Sequence, residues 1–289
     1  MATTKSVGFA VDAPPLVAAP YGLINEWTLQ PDDVRWEGGV GFESLACAAK
    51  IDLWGICTPD GITVADGTGN ERGVYAPAFA ITATDTCTST FGSDFRERAE
   101  SRARELLEAA TPKAVESEFK WGWQSSSAAP AGRWLTGPLT QVVDATGLKA
   151  DCAAALLLDA YAGCSYGGGA VLHASPGAAY RLDTNLGADF TINGEPAHKD
   201  TLYTDSGVPV IVGAGYAPNG SELAPWDGNW MFVTGPPMVW LGEIQVYPDN
   251  IDQAVNVATN DIRFKAERLA AVTFDGCCVF AAKVDVAKC

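Results

Sequence analysis

With 289 residues, 47% apolar and 19% charged, the chain has material for one large domain or two lobes on a shared core, and disorder over most of its length is excluded. Its 35 acidic and 19 basic residues leave a formal charge of −16, a surface that repels phosphate and argues against a nucleic-acid reader. Eight cysteines are scattered without a C-x-x-C pair and only two histidines accompany them, so no metal site is expected and no membrane-spanning run exists beside them.

Lys5 precedes a mildly apolar stretch, but Asp12 and the Pro14-Pro15 pair break it before an export signal forms. The expectation is a soluble chain made in a cytoplasm. Most of its thiols would then be small buried hydrophobes, and disulfides formed after release would involve Cys47, Cys57 and Cys87.

Residues 1–33 have no sustained period, and Pro14, Pro15, Pro20 and Pro31 rule out a helix there, so an extended arm is expected. A long hairpin follows. Its first arm runs from Val34 to Trp54 and its second from Val74 to Thr84, with turn chemistry at Pro59-Asp60-Gly61 and Asp66 to Asn70. The flexible tip is expected over Ala65 to Arg72. A hairpin of this kind is marginal alone and wants a partner surface.

The clearest helix comes next. Ser93 can cap it, and Phe95, Ala99, Ala103, Leu106, Ala110 and Ala114 recur three or four apart. Arg96, Glu97, Glu100, Arg104, Glu105 and Glu108 take the other face, and Pro112 should bend the last third. At ~1.5 Å per residue, roughly 25 residues reach about 37 Å. The stripe is mostly alanine, so its partner must come close.

Ser125 to Gly132 reads as a lobe boundary. Beyond it helix and strand alternate, which predicts a mixed α/β lobe. A helix is expected over Asp151 to Cys164, a strand over Ala170 to Ala174, and a short helix from Pro176 to Leu182. Further strands are expected over Val208 to Val212, Trp230 to Val233 and Met238 to Val246. At the end, Ile262, Phe264, Ala266, Ala270 and Val272 alternate with polar residues, Asp275-Gly276 turns, and Cys278 to Val284 runs back as an antiparallel partner.

Chemical motifs are few. Gly213-Ala214-Gly215 starts like a dinucleotide fingerprint, but Pro218 occupies the third glycine's position and denies the helix that must follow, which favours a strand-ending turn. Gly167-Gly168-Gly169 lies between helix and strand, the wrong order for a phosphate cradle. His173 sits in an apolar strand and reads as a core histidine, whereas His198 reads as a loop residue. No Gly-x-Ser-x-Gly elbow occurs. Nine tryptophans could line a sugar groove, yet they are dispersed apart from Trp121 and Trp123. No catalytic, cofactor-binding or metal-binding residue is assigned, and no cofactor is expected.

The order of elements carries more information than any motif. Gly169 to Pro176 followed by a short helix, the Gly207-Val208-Pro209-Val210 strand, and Ile262 to Arg268 leading to Asp275-Gly276-Cys277-Cys278 together resemble the tailed-phage major capsid proteins of the Hong Kong 97-type fold, shared with encapsulins. The resemblance covers roughly residues 1–285. It implies an α+β fold divided into an N-terminal arm (1–33), an extended loop (34–92), a peripheral domain with a spine helix (93–133), an axial domain (134–244) and a return to the peripheral domain (245–289). It implies a non-enzymatic homo-oligomer of pentamers and hexamers. Such a subunit builds the icosahedral head shell of a virion around double-stranded DNA, without sequence-specific contacts, and is assembled in the host cytoplasm. Scaffold, portal or decoration proteins are the implied partners. An encapsulin-type compartment, another virion part (tail or decoration), and a lectin or carbohydrate-active enzyme are the alternatives. Two departures stand out. Asp275-Gly276 replaces the Asp-Pro of many members, and the stretch from Gly55 to Gly73 has no lysine for the cross-link some relatives form.

Overall fold

A computed structural model describes residues 22–29, 39–43, 50–53, 62–66, 73–87, 95–123, 133–164, 169–182, 184–186, 191–192, 195–196, 201–218, 225–248, 255–256, 261–276 and 278–287. Two sheets organise the described chain. The first is built on one long strand, β18 (Asp261–Phe274), which pairs antiparallel with β6 (Phe79–Cys87) along nine residues. Ala270 pairs with Phe79 of β6 and also with Leu241 of β15 (Pro237–Leu241), so these two strands lie on opposite edges of β18. β16 (Gln245–Tyr247) and β17 (Val255–Asn256) also pair with β18, and β1 (Thr28–Leu29) adds to β15 in parallel. The expected single strand from Met238 to Val246 is therefore two, β15 and β16, both on β18.

Helix α2 (Phe95–Trp121) packs across β6 and β18. Its buried row is Ala99, Ala103, Leu107, Thr111 and Val115, each four residues on from the last. The expected row used Leu106, Ala110 and Ala114 instead; Leu106 and Ala110 are exposed and Ala114 is half-buried. A row stepping strictly by four winds slowly around a helix of 3.6 residues per turn. The winding turns the helix until its last two turns are enclosed between the sheets, where Glu116, Glu118, Phe119 and Lys120 are all buried. Pro112 sits inside α2 without ending it. The Ser93 cap lies outside the described residues.

The second sheet has seven strands in the order β7-β19-β14-β8-β13-β12-β9. These are β7 (Thr140–Leu148), β8 (Val171–Ala174), β9 (Thr184–Leu186), β12 (Leu202–Thr204), β13 (Pro209–Val212), β14 (Asn229–Thr234) and β19 (Val279–Val284). The pairings β8–β13 and β19–β7 are parallel and the other four antiparallel, as the mixed α/β reading of this lobe requires. Helix α3 (Ala150–Cys164) covers one face with Ala150, Ala153, Ala154, Leu157 and Tyr161, against Leu172, Met231, Val233 and Phe280. The opposite face presents Val171, Ile211, Trp230 and Phe232 to the core shared with α2. Its middle strands β19, β14 and β8 are buried on both sides, which is why they read as nearly continuous apolar runs, whereas most of the edge strand β7 is exposed. Helix α4 (Pro176–Ala179) is capped by Ser175, whose hydroxyl accepts from Ala178 N. A small pair, β10 (Thr191–Ile192) with β11 (Glu195–Pro196), lies apart from both sheets.

Three expectations need correction. The strands β18 and β19 do not form an antiparallel pair; they belong to different sheets, and β19 pairs with β14 and β7. Alternation defines a strand but not its neighbour, and Asp275-Gly276 turns the chain toward the other sheet. The arm is not wholly extended, because α1 (Leu23–Trp27) forms in the window that Pro20 and Pro31 leave free. Leu23 is fully buried in the shared core. Finally, the hairpin is two nested pairs, β2 (Val40–Glu43) with β5 (Gly73–Ala76) and β3 (Lys50–Leu53) with β4 (Ile62–Asp66). Ala65 and Asp66, expected in the flexible tip, are in strand β4, and the rest of that expected tip, 67–72, lies outside the described residues.

Leu23→Ala should cost about 2–4 kcal/mol of folding stability by leaving a cavity under the arm. Urea unfolding midpoints of the two proteins measure it. A loss below half a kilocalorie would mean that the arm does not belong to the core.

Candidate functional site

The chain crosses between the two sheets three times: after α2 into β7, from β14 to β15, and from β18 to β19. All three crossings meet at one joint. Asp275 N donates to Pro236 O at 2.8 Å, tying the second crossing to the third. The Arg133 guanidinium, from the first crossing, donates to Gly276 O of the third and lies 5.7 Å over the Phe274 ring. The first crossing is also fastened to the end of α2, where Leu135 N donates to Phe119 O and Thr136 N to Lys120 O, at 2.8 and 3.0 Å. A Cβ on Gly235 would stand 1.7 Å from Asp275 O, so only glycine lets the second and third crossings touch.

Below the joint, α2 grips the other lobe through two buried charges one turn apart. A 3-10 turn, Ala214–Tyr216, links β13 toward β14. The Glu116 carboxylate accepts from Gly215 N at 3.0 Å and from the backbone N–H groups of Ala214 and Leu23. Lys120, fully buried, donates to Tyr216 O at 3.0 Å and sits 4.5 Å from the centre of the Trp121 ring. The acid thus takes the donor end of the turn and the base its acceptor end, the arrangement that the dipole of a helical turn favours. Glycines permit the approach. A Cβ would come within 2.4 Å of Glu116 Cδ at Gly213 and 2.5 Å of Glu116 Cβ at Gly215. Burial raises the Glu116 pKa from 4.5 to about 7, against the lowering effect of its three backbone donors.

A second polar chain runs beside this grip. The Tyr216 hydroxyl lies 3.4 Å from His173 Nδ1, His173 Nε2 is 2.8 Å from Thr234 Oγ1, and the Thr234 hydroxyl donates to Gly235 O at 2.7 Å. These contacts suit a neutral ring protonated on Nε2. Burial lowers the His173 pKa to about 3, so it is neutral at any ordinary pH. Phe119 meets the ring edge-on at 5.2 Å. His173 is a core histidine, in line with its apolar strand.

Gly213-Ala214-Gly215 works as a close-packing turn against α2, as its misplaced proline indicated. His198, Gly167 and Gly168 lie outside the described residues. Trp121 and Trp123 stack at 6.5 Å with ring planes 10° apart, beyond the joint at the end of α2. Cys164 and Cys278 are joined as a disulfide with Cα atoms 6.4 Å apart, a pairing the expectation of buried thiols did not include. An apolar cleft of about 450 Å³ is lined by residues that include Trp27, Tyr161, Val171, Tyr203 and Pro236, and among the described residues no histidine, carboxylate, lysine, arginine or cysteine lines its wall. Among the described residues no group of three or more His, Cys, Asp or Glu could hold a metal ion, and no helix is long and apolar enough to cross a membrane. Among the described residues, the geometry here holds two sheets in register with each other.

No family model matches the sequence, and no curated protein matches it. Solved structures do match over nearly the full length. The capsid of an empty GTA particle aligns with a TM-score of 0.54 at 10% identity, covering 97% of this chain and 95% of that one. A structure from Mycobacterium phage Ogopogo aligns at 0.51 and 14% identity, covering 96% and 97%. This is the Hong Kong 97-type capsid fold. An encapsulin complex from Synechococcus elongatus shares it, with a TM-score of 0.50, 11% identity and coverage of 98% and 94%. The resemblance read from element order is borne out at the level of the fold. In this capsid fold the joint residues Glu116, Lys120, Arg133 and Gly235 escaped the sequence reading, whereas Asp275-Gly276 was read as a turn. Gly213-x-Gly215 gave a second local sign, since paired glycines mark close backbone approach.

Proposed function

We propose that the chain is the repeating subunit of a closed protein shell, with a structural and non-catalytic role, and that the shell is the DNA-filled head of a tailed phage. The observation that carries this reading is the near-complete, two-way coverage of the alignment with the GTA capsid, 97% of this chain and 95% of that one. The hairpin supports it too: β2–β5 and β3–β4 are two-stranded ribbons separate from both sheets, and such ribbons are marginal without a partner surface. The subunits would associate as pentamers and hexamers, their modest contacts summing around closed rings. The net charge of −16 suits a wall that must not hold packaged DNA. In this reading residues 1–33 are the arm, 34–92 the extended loop, 93–133 with 245–289 the peripheral domain and 134–244 the axial domain. Assembly takes place in the host cytoplasm, with scaffold, portal or decoration proteins as partners. An encapsulin-type compartment is the second reading, favoured by the Synechococcus elongatus match.

Negative-stain microscopy of the overexpressed chain, with size-exclusion chromatography beside it, tests the proposal. Polyhedral shells, or five- and six-membered rings, are the expected result. Nuclease-protected DNA in particles from infected cells would indicate a phage head, and protein cargo a compartment. A monomer that binds a sugar or turns over a substrate would overturn the shell reading.

A further inference from the structure

The Cys164–Cys278 bond lies within the seven-stranded lobe, between the end of α3 and the chain as it leaves the joint for β19. Cys164 ends α3 and is exposed; Cys278 immediately precedes β19, is 3% exposed, and follows Gly276 by two residues. Their sequence separation of 114 encloses β8 to β18 and with them both the β14–β15 and the β18–β19 crossing. Gly276, held by Arg133, has φ +132 and so marks a turn that few other residues could make. The bond therefore fastens the one crossing that contacts the other two to a helix that belongs wholly to the seven-stranded lobe. Meanwhile Cys152, exposed on the same helix, is a free thiol.

We propose that Cys164 and Cys278 form a redox-set lock on the joint between the sheets. Both are thiols while the chain folds in a reducing compartment, and they close when it meets a small-molecule disulfide of the glutathione type. The exposed Cys164 thiolate attacks that disulfide, forming a mixed disulfide and expelling one small thiol. Cys278 then attacks the Cys164 sulfur and expels the second. Two protein thiols are oxidised, one small disulfide is reduced, and the two protons leave on the released thiols. Closing a loop of this length removes freedom from any state in which the joint has opened, so the closed form opens more rarely. The device acts within one chain and does not rest on the shell reading.

The test is amide hydrogen exchange with peptide-mapped alkylation on the full chain, first under reductant and then after oxidised glutathione. Oxidation should remove Cys164 and Cys278 from alkylation, leave Cys152 labelled, and slow exchange about tenfold or more in peptides covering 234–237 and 274–279. Cys164→Ser, at an exposed position, should exchange at the reduced rate whether or not oxidant is present. Failure of the two cysteines to link under oxidant would overturn the lock. So would linkage that leaves exchange at both crossings unchanged. The readout is internal to the chain, so it stands whether or not shells form.

Discussion

Gly235→Ala should yield a chain that is poorly soluble when expressed, or that unfolds far below the wild-type midpoint, because the added methyl has nowhere to go. It would stand 1.7 Å from the Asp275 carbonyl oxygen, which is backbone and cannot swing aside as a side chain would. Relief requires the second and third crossings to part. That breaks the Asp275 N to Pro236 O bond and shifts the Gly235 carbonyl that accepts from Thr234. A loss of about 3 kcal/mol or more is expected, a large share of the stability of a single domain. Gly163→Ala is the matched control. It lies near the end of α3 with nothing within 4 Å of the new methyl, and should be neutral or stabilising by up to about 1 kcal/mol. Thermal unfolding of the two variants beside the wild type measures both effects. Equal midpoints for all three would show that the crossings do not touch in solution.

Glu116→Gln should change how stability depends on pH, with a sign fixed by the direction of the pKa shift. The folded pKa is raised from 4.5 to about 7, so the native state holds this proton more tightly than the unfolded chain does. The group's stabilising contribution is then full below pH 4.5 and is lost as pH rises through 7. A shift of this size corresponds to about 3 kcal/mol between pH 4.5 and 8. His173 acts in the opposite direction. Its pKa is lowered to about 3, so its neutral, buried form favours folding above pH 6.5 and that contribution falls away as pH drops. The wild-type profile alone mixes the two effects. The difference between wild type and Glu116→Gln isolates one of them: relative to the variant, the wild type should lose stability from pH 5 to pH 8. Urea midpoints at four or so pH values across that range suffice. A difference that stays flat with pH would mean that Glu116 does not titrate in the folded joint.

The joint explains why so little of it was legible in advance. Glu116 and Lys120 lie one turn apart on a charged helix, and i,i+4 pairs of that kind are usually solvated ornament on an exposed face. What buries them is the winding of the α2 row away from Ala110 and Ala114 and into the gap between the sheets. Gly235 is one of 30 glycines, and nothing in Thr234-Gly235-Pro236 announces that Asp275 will approach it. The Cys164–Cys278 pairing was equally hidden, since neither residue belongs to a spaced motif.

What the sequence determined by itself is what short-range periodicity and stereochemistry encode: the long helix from Phe95, the helix before Cys164, the buried strands at Val171, Pro209 and Asn229, and the alternation along β18. The element order that pointed to the capsid fold is the sum of these local signals. Tertiary structure alone decided which strands became neighbours. Hydrogen-bonded edges are interchangeable in chemistry, so alternation could not say that β19 joins β14 and β7 while β18 takes β6. Nor could four prolines reveal that the arm's free window would coil into α1, because a helix of five residues is not stable on its own local interactions. Leu23 entering the common core, and Glu116 accepting its N–H, supply the stabilisation that those five residues lack.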